Sequence, residues 1–331
     1  MEKILTIIIP VYKVEQYIRQ CLDSVILDEE QTKWLEVIIV NDGTPDQSGV
    51  IAHEYEAKYP QSIKVIDKEN GGHGSAWNLG LKHANGKYIR FLDSDDWLSN
   101  LSSFIEELKN HDEDLVFTHL TRFDERFQSS SLSKIQNIDY NKTYSTSSFS
   151  YIETGNQYYM YGFWYCTYKR DIFRGEQPLF VEKVFYDDAI LFIAPYILGK
   201  TMVFLDTTLY NYRIGQSGQS VNVNVERKHA WDYVKVSKSL IEFANRHPNL
   251  NKVQSEQRDS FLSQYMKNRF SLFSQLSYRE FRNIIDDFLP YIKKNAPYIK
   301  TSPKAKFYLA TPSYLAWYCI KLFNKHILKI N

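Results

Sequence analysis

Tyr88-Ile89-Arg90-Phe91-Leu92-Asp93-Ser94-Asp95-Asp96-Trp97 is a short apolar run that ends on three carboxylates within four residues. The run reads as a buried strand. The carboxylates repel one another unless a cation or a helix N-terminus offsets them, and hard oxygen ligands are what Mg²⁺ or Mn²⁺ prefers. An acidic start to the helix expected near Ser99 is the competing reading. Outward from this stretch the same alternation repeats, with strands predicted at 4–9, 35–40, 63–67, 87–92 and 114–120 and helices at 15–26, 46–58, 74–84 and 99–110. Strands alternating with helices imply parallel βαβ units in an α/β fold, with a mostly parallel sheet flanked by helices. In such sheets ligands bind beyond the carboxyl ends of the strands, so the residues just after each strand carry the chemistry.

The first strand ends in Pro10-Val11-Tyr12 and the second in Val40-Asn41-Asp42-Gly43-Thr44. A tyrosine ring can stack on a flat base and a carboxylate can accept from a ring N–H, so the two ends together suit a pyrimidine. Taken singly, they read as a strand stop and a turn that caps the next helix. Between the second and fourth strands, Asn70-Gly71-Gly72-His73-Gly74-Ser75-Ala76-Trp77-Asn78 brings three glycines to a strand-to-helix loop, where backbone can approach a ligand closely. It lacks the G-x-G-x-x-G spacing of a dinucleotide fingerprint. His73 has the chemistry to touch a phosphate or a metal, and the position to be an ordinary helix-start residue.

With 331 residues, about two units of ordinary size are expected. The net charge of +1 gives no reason to expect nucleic acid. Its distribution is uneven: eight lysines and no acid follow Asp287, leaving a net −7 on the rest. Cys21, Cys166 and Cys319 fit neither a disulfide framework nor zinc spacing, which points to a reducing compartment. The apolar start Ile4–Ile9 reads as a strand, not a leader, and no run reaches the roughly 20 apolar residues of a membrane span, so a cytoplasmic protein is expected. Residues 124–160 are rich in Ser, Tyr and Asn without helical period and read as loop or irregular strand. Strands are expected at 162–168, 180–186 and 201–213 around a helix at 188–199, then helices at 226–247, 252–275, 277–295 and 305–329. The expected domains are 1–225, divided at 121/122, and a helical C-terminal region 226–331. In its tail Lys321, Lys325 and Lys329 recur every four residues, with Tyr314, Trp317, Tyr318 and Leu322 bordering them and Ala316, Ile320, Phe323 and Ile327 opposite. That pattern suits a helix lying on an anionic membrane surface, or one packed on the protein with its lysines solvated.

Ile9-Pro10-Val11-Tyr12, Val40-Asn41-Asp42-Gly43, the Asn70–Asn78 loop and Gly86–Asp96, in this order, resemble the family 2 glycosyltransferases of bacterial polysaccharide and glycan assembly. The resemblance implies inverting enzymes with the GT-A fold, and it is strong over about 4–121 and weaker to about 225. It implies that Asp42 reads the base, that Pro10, Val11 and Tyr12 wall the nucleoside, and that Gly72 lies on the nucleotide. Asp93-Ser94-Asp95 is similar to the family D-x-D motif, with Asp93 near ribose or metal, Ser94 on the nucleotide and Asp95 a ligand to Mn²⁺ or Mg²⁺. Tyr186-Asp187-Asp188-Ala189 is similar to the acidic pair whose second member is the general base, here Asp188. Arg213, in a tyrosine-arginine segment before Gly215 and Gly218, is expected to reach the diphosphate from a mobile loop. The family more often shows Glu at the position of Asp187 and Arg at that of Trp77. The implied donor is a nucleotide diphosphate sugar, a UDP-hexose first, and the implied acceptor a lipid-linked or protein-linked glycan. A nucleotidyltransferase would carry a glycine-rich basic loop where Val11–Glu15 stands. A non-catalytic sugar-nucleotide-binding or membrane scaffold partner would have lost one of Asp93, Asp95 or Asp188.

Overall fold

The computed structural model describes residues 3–155, 162–216, 223–299 and 314–327. The chain forms two compact units, one of Met1–Lys183 with Asp187–Ser217, the other of Val184–Tyr186 with Gly218–Asn331.

The first unit is built on β1 (Leu5–Val11), β2 (Leu35–Asn41), β3 (Ile63–Asp67), β4 (Tyr88–Phe91), β5 (Trp97–Leu98), β6 (Leu115–Asp124), β7 (Ser129–Ser133), β8 (Tyr144–Ser145), β9 (Cys166–Lys169) and β10 (Thr201–Ile214). Its helices are α1 (Ile18–Asp23), α2 (Glu29–Thr32), α3 (Ser48–Lys58), α4 (His73–His83), α5 (Leu101–Leu108) and α6 (Ala194–Leu198). The main path of the sheet runs β3-β2-β1-β4-β9-β6-β10-β5. Its first four strands are parallel, as the βαβ pattern requires. β9 is antiparallel to both β4 and β6, and joins this parallel half to the parallel β6–β10 pair. All seven residues of β1 are buried, which explains the apolar run Leu5–Ile9: a central strand covered on both faces has no solvent side to make polar, and the one polar residue, Thr6, donates to Glu36 at 2.6 Å. β2 flanks β1 on one side and β4 on the other, so the connections diverge at β1 and open a crevice at the carboxyl ends of these three strands.

Two expectations for the segment after β9 change. Residues 180–186 form no strand. The helix expected at 188–199 is divided into a 3₁₀ turn, Asp187–Phe192, and α6, because Pro195 removes a backbone donor and restricts the residue before it.

The second unit is helical: α7 (Val223–Lys228), α8 (Ala230–Arg246), α9 (Lys252–Phe273), α10 (Tyr278–Asn295) and α11 (Tyr314–Ile327). Asn251 with Gln254 and Ser277 with Glu280 form capping boxes that start α9 and α10, reciprocally satisfying backbone donors. Tyr233, Leu240, Leu262, Phe281 and Phe288 are buried in its core. Tyr186 stacks on Tyr233 at 3.9 Å with the rings 7° apart. α11 packs through Trp317 and Ile320, both buried, with Trp317 5.6 Å from the Tyr278 ring. Lys321 donates to the Leu276 carbonyl at 3.3 Å. Trp317 is therefore an anchor and not part of a solvent border, while Tyr314, Leu315, Tyr318 and Leu322 stay exposed. Lys329 lies outside the described residues. Among the described residues no helix is long and apolar enough to cross a membrane.

Candidate active site

At the end of β2 the buried carboxylate of Asp42 accepts from the backbone N–H groups of Gly71 at 2.9 Å and Gly72 at 2.8 Å, and from Lys68 Nζ at 2.5 Å. Gly72 has φ 84, a conformation open to glycine and strained for other residues, and this turns its N–H onto Asp42. Lys68 and Gly71 share Oδ1, whereas Oδ2 has Gly72 as its donor and keeps acceptor capacity beyond it. Pro10 and Val11 are buried at the end of β1, and the Tyr12 ring beside them is 42% exposed, with Lys13 Nζ 5.1 Å from its centre.

The acidic run after β4 is sorted by its surroundings. Asp96 is buried, and each of its oxygens accepts a hydrogen bond from the protein: Tyr210 Oη donates to Oδ2 at 2.6 Å and the Arg213 N–H to Oδ1 at 2.7 Å. Ser94 is buried beside it. Burial, with the charges of Asp95 and Asp93, holds Asp96 well above the usual carboxylate range. Asp95 is pushed up to about 6, first by burial and then by Asp93, against the partial relief of Arg213 and Gln216. Carboxylate oxygens of Asp93, Asp95 and Asp96 lie within 4.8 Å of one another, an all-oxygen donor set that suits a hard divalent cation. With Asp96 committed to Tyr210 and Arg213, Asp93 and Asp95 are the two that fit as ligands. A carboxylate that burial and a like charge push up, as they do Asp95, is one that a cation stabilises.

Arg213 does not sit on a mobile loop. It lies on β10, buried, with Nε donating to the Asp95 carbonyl at 2.9 Å and the guanidinium shared between Gln20 and Glu125. Its charge lies over the rings of Tyr17 at 4.9 Å and Trp97 at 5.0 Å. In this arrangement Arg213 shapes the acidic loop through its backbone.

The glycine loop and α4 hold the acidic pair 187–188. Asn78 Oδ1 accepts from the Leu179 and Phe180 N–H groups, both at 3.0 Å, its Nδ2 donates to the Phe180 carbonyl at 2.9 Å, and the Lys183 N–H donates to the Gly71 carbonyl at 2.9 Å. His73 bridges two carboxylates: Nδ1 is 3.1 Å from Asp187 Oδ2 and Nε2 is 3.3 Å from Asp93 Oδ1. Burial alone would pull this imidazole down, but Asp187 and Asp93 together outweigh it and hold His73 well above its usual range. Asp187 is buried, while Asp188, next in the 3₁₀ turn, is half-buried. Trp77 is fully buried among Phe91, Phe163, Phe180 and the His73 ring, so this position is occupied by core packing. Asn78, Lys68 and Tyr210 were not read from the sequence as site residues, since an amide clamp, a lysine on a carboxylate and a tyrosine within a strand have no spacing signature.

Polar and acidic residues after β1, β2 and β4, with a further acidic pair tied to them through His73, lie on one α/β sheet of the GT-A type. Residues 6–174 match the family described as glycosyl transferase family 2, and the chain belongs to that family. It is 31% identical over 222 residues to Glycosyltransferase GlyA of Streptococcus pneumoniae, an alignment covering 65% of this chain and 31% of GlyA. It is 33% identical over 218 residues to the uncharacterized glycosyltransferase EpsJ of Bacillus subtilis, covering 64% of this chain and 62% of EpsJ. The chain thus spans less than two thirds of either relative. The crystal structure of S. aureus TarS 1-349 in complex with UDP-GlcNAc is similar in fold, with a TM-score of 0.65 at 18% identity over 97% of this chain and 89% of that one. The mannosyltransferase PcManGT from Pyrobaculum calidifontis, solved with GDP-Man and Mn²⁺, matches at a TM-score of 0.51 and 14% identity, over 99% of this chain and 86% of that one.

Proposed function

We propose that the protein transfers a sugar, a hexose from UDP first, onto a hydroxyl of a lipid-linked or protein-linked glycan with inversion at the anomeric carbon. The observation that carries this reading is the convergence of Asp42, the Asp93–Asp95 loop and the Asp187–Asp188 turn on one site through the glycine loop and His73. Pro10, Val11 and Tyr12 wall the base, Asp42 Oδ2 accepts its ring N–H, and Gly72 and Ser94 lie along the nucleotide. Asp93 and Asp95 would hold Mn²⁺ or Mg²⁺, which supplies charge neutralisation for the departing diphosphate. Asp188 accepts the proton of the acceptor hydroxyl as that oxygen bonds to the anomeric carbon from the face opposite the diphosphate. The C–O bond to the nucleotide breaks in the same displacement, and UDP leaves with the bonding pair. Arg213 serves the diphosphate side of the site through its grip on the acidic loop. The match to family 2 ends before Asp187, so the base assignment rests on the geometry of the turn and on the resemblance at that pair.

A peripheral position on the cytoplasmic face of a membrane, through the basic C-terminal tail, completes the reading and would suit a lipid-linked acceptor. The deciding experiment is a hydrolysis screen with Mn²⁺ across UDP-, GDP- and TDP-sugars, because slow donor hydrolysis needs no acceptor. Turnover of a UDP-sugar supports the assignment; turnover of GDP-sugars alone overturns the donor, and none with any donor overturns the enzyme.

A further inference from the structure

We propose that His73 is a positioning residue that locks the Asp187–Asp188 turn to the Asp93 loop, setting the distance between the proton acceptor and the diphosphate. The inference rests on Asp188 being the base. The two acidic segments lie far apart in sequence, and the single imidazole spans them, Nδ1 to Asp187 and Nε2 to Asp93. Each ring nitrogen thus lies within hydrogen-bond distance of a carboxylate on a different segment. The neighbouring residue makes room for it: a Cβ on Gly74 would stand 2.5 Å from the Val181 carbonyl and 2.9 Å from Asp187 Oδ2. The turn therefore packs directly on the first residues of α4. Asp187, buried and turned to His73, anchors the turn that also carries its half-buried neighbour Asp188. A displacement of about 1 Å at a reacting group costs on the order of a hundredfold in rate, so a brace at this point acts on turnover rather than on nucleotide affinity.

The test combines two readouts on His73→Ala, Asp187→Ala, their double variant and Asp187→Asn, which keeps one acceptor oxygen for Nδ1. In the metal-free protein, amide hydrogen exchange over 187–193 should quicken in both alanine variants while the melting temperature stays within a few degrees of wild type. With Mn²⁺ and the UDP-sugar that wild type hydrolyses fastest, kcat should fall by about 10- to 100-fold with the UDP Kd unchanged. The double variant should lose no more than either single, and Asp187→Asn should recover most of the loss. Unchanged exchange, additive losses, or a UDP Kd weakened in proportion to the rate would each overturn the brace, the last making His73 a diphosphate contact. If His73→Ala does not fold, His73→Gln takes its place, and a wild-type rate and exchange there overturns the inference equally. Asp188→Asn separates the two readings: full activity in that variant removes the base assignment, whereas the exchange result is independent of it.

Discussion

Asp95 holds a carboxylate that burial and Asp93 push up to about 6, and in the metal-free protein near pH 8 it is ionised at a cost. A raised acid favours the folded state only while protonated, so its contribution falls as pH rises from about 4 through 6. Asp95→Asn should therefore raise the metal-free melting temperature at pH 8 by roughly 2–4 °C, read by scanning calorimetry. Asp95→Ala should abolish Mn²⁺-supported UDP binding in isothermal titration, and wild-type affinity there would remove Asp95 from the ligand set. Asp188 fails in a different way. Asp188→Asn keeps size and polarity but cannot take a proton, so transfer should drop by about two orders of magnitude with UDP binding intact. Stopped assays of UDP release beside titration calorimetry separate the two.

α4 is the element on which the site depends, because its first two turns carry His73, Gly74 and Asn78. Gly74→Ala should force the 181–187 segment away and cut turnover by at least about tenfold, measured as kcat on the same donor with the UDP Kd as control. The parallel half of the sheet was legible because β1, β2 and β4 are buried strands whose apolar runs end abruptly on polar residues. β9 was legible as the strand expected at 162–168, but its antiparallel place between β4 and β6 was not, since a strand of four residues carries no sign of its partners. The carboxylates after β2 and β4 were likewise readable from their strand ends, but the setting apart of Asp96 as a structural acid depends on Tyr210 and Arg213, more than 110 residues away. The strand expected at 201–213 runs on to Ile214, so Arg213, paired with Phe123 of β6, is held in the sheet and not on a loop. The same β6–β10 pair carries His119, whose buried ring is held below its usual 6.5 by loss of solvent, against the pull of Asp206 at 2.9 Å. A depressed histidine stabilises the fold fully above 6.5 and loses that contribution as pH falls through the folded value. His119→Gln should flatten the decline in urea midpoint on the acid side of pH 6.5, while an unchanged slope would assign that decline to other groups.

At the scale of the whole molecule the charge is divided, with +8 after Asp287 and −7 before it. In α11 the buried Trp317 and Ile320 fix which face packs, and the outward face presents Tyr314, Leu315, Tyr318 and Leu322. Exposed aromatic and aliphatic side chains among lysines suit the interface of an anionic bilayer, where apolar groups enter the headgroup boundary and each lysine near the surface adds about 1 kcal/mol. Lys321 is not available to read this out, since it is tied to the Leu276 carbonyl and stands over the Trp317 ring at 4.6 Å, so its substitution would disturb packing as well as charge. The charge is read out by reversing Lys304, Lys306, Lys325 and Lys329 together to Glu. Wild-type protein should co-sediment with vesicles of phosphatidylglycerol and phosphatidylcholine, should release as salt rises from 50 to 500 mM (roughly a threefold shorter screening length), and should ignore vesicles of phosphatidylcholine alone. The fourfold variant should lose sedimentation at every salt concentration. Leu315→Ser with Leu322→Ser should weaken binding at low salt while leaving its salt dependence, because those residues contribute area and not charge. Equal sedimentation of wild type and the fourfold variant, or none at low salt, would reduce the tail to a helix that packs on its own unit, and the acceptor would then have to reach the enzyme without a docked surface.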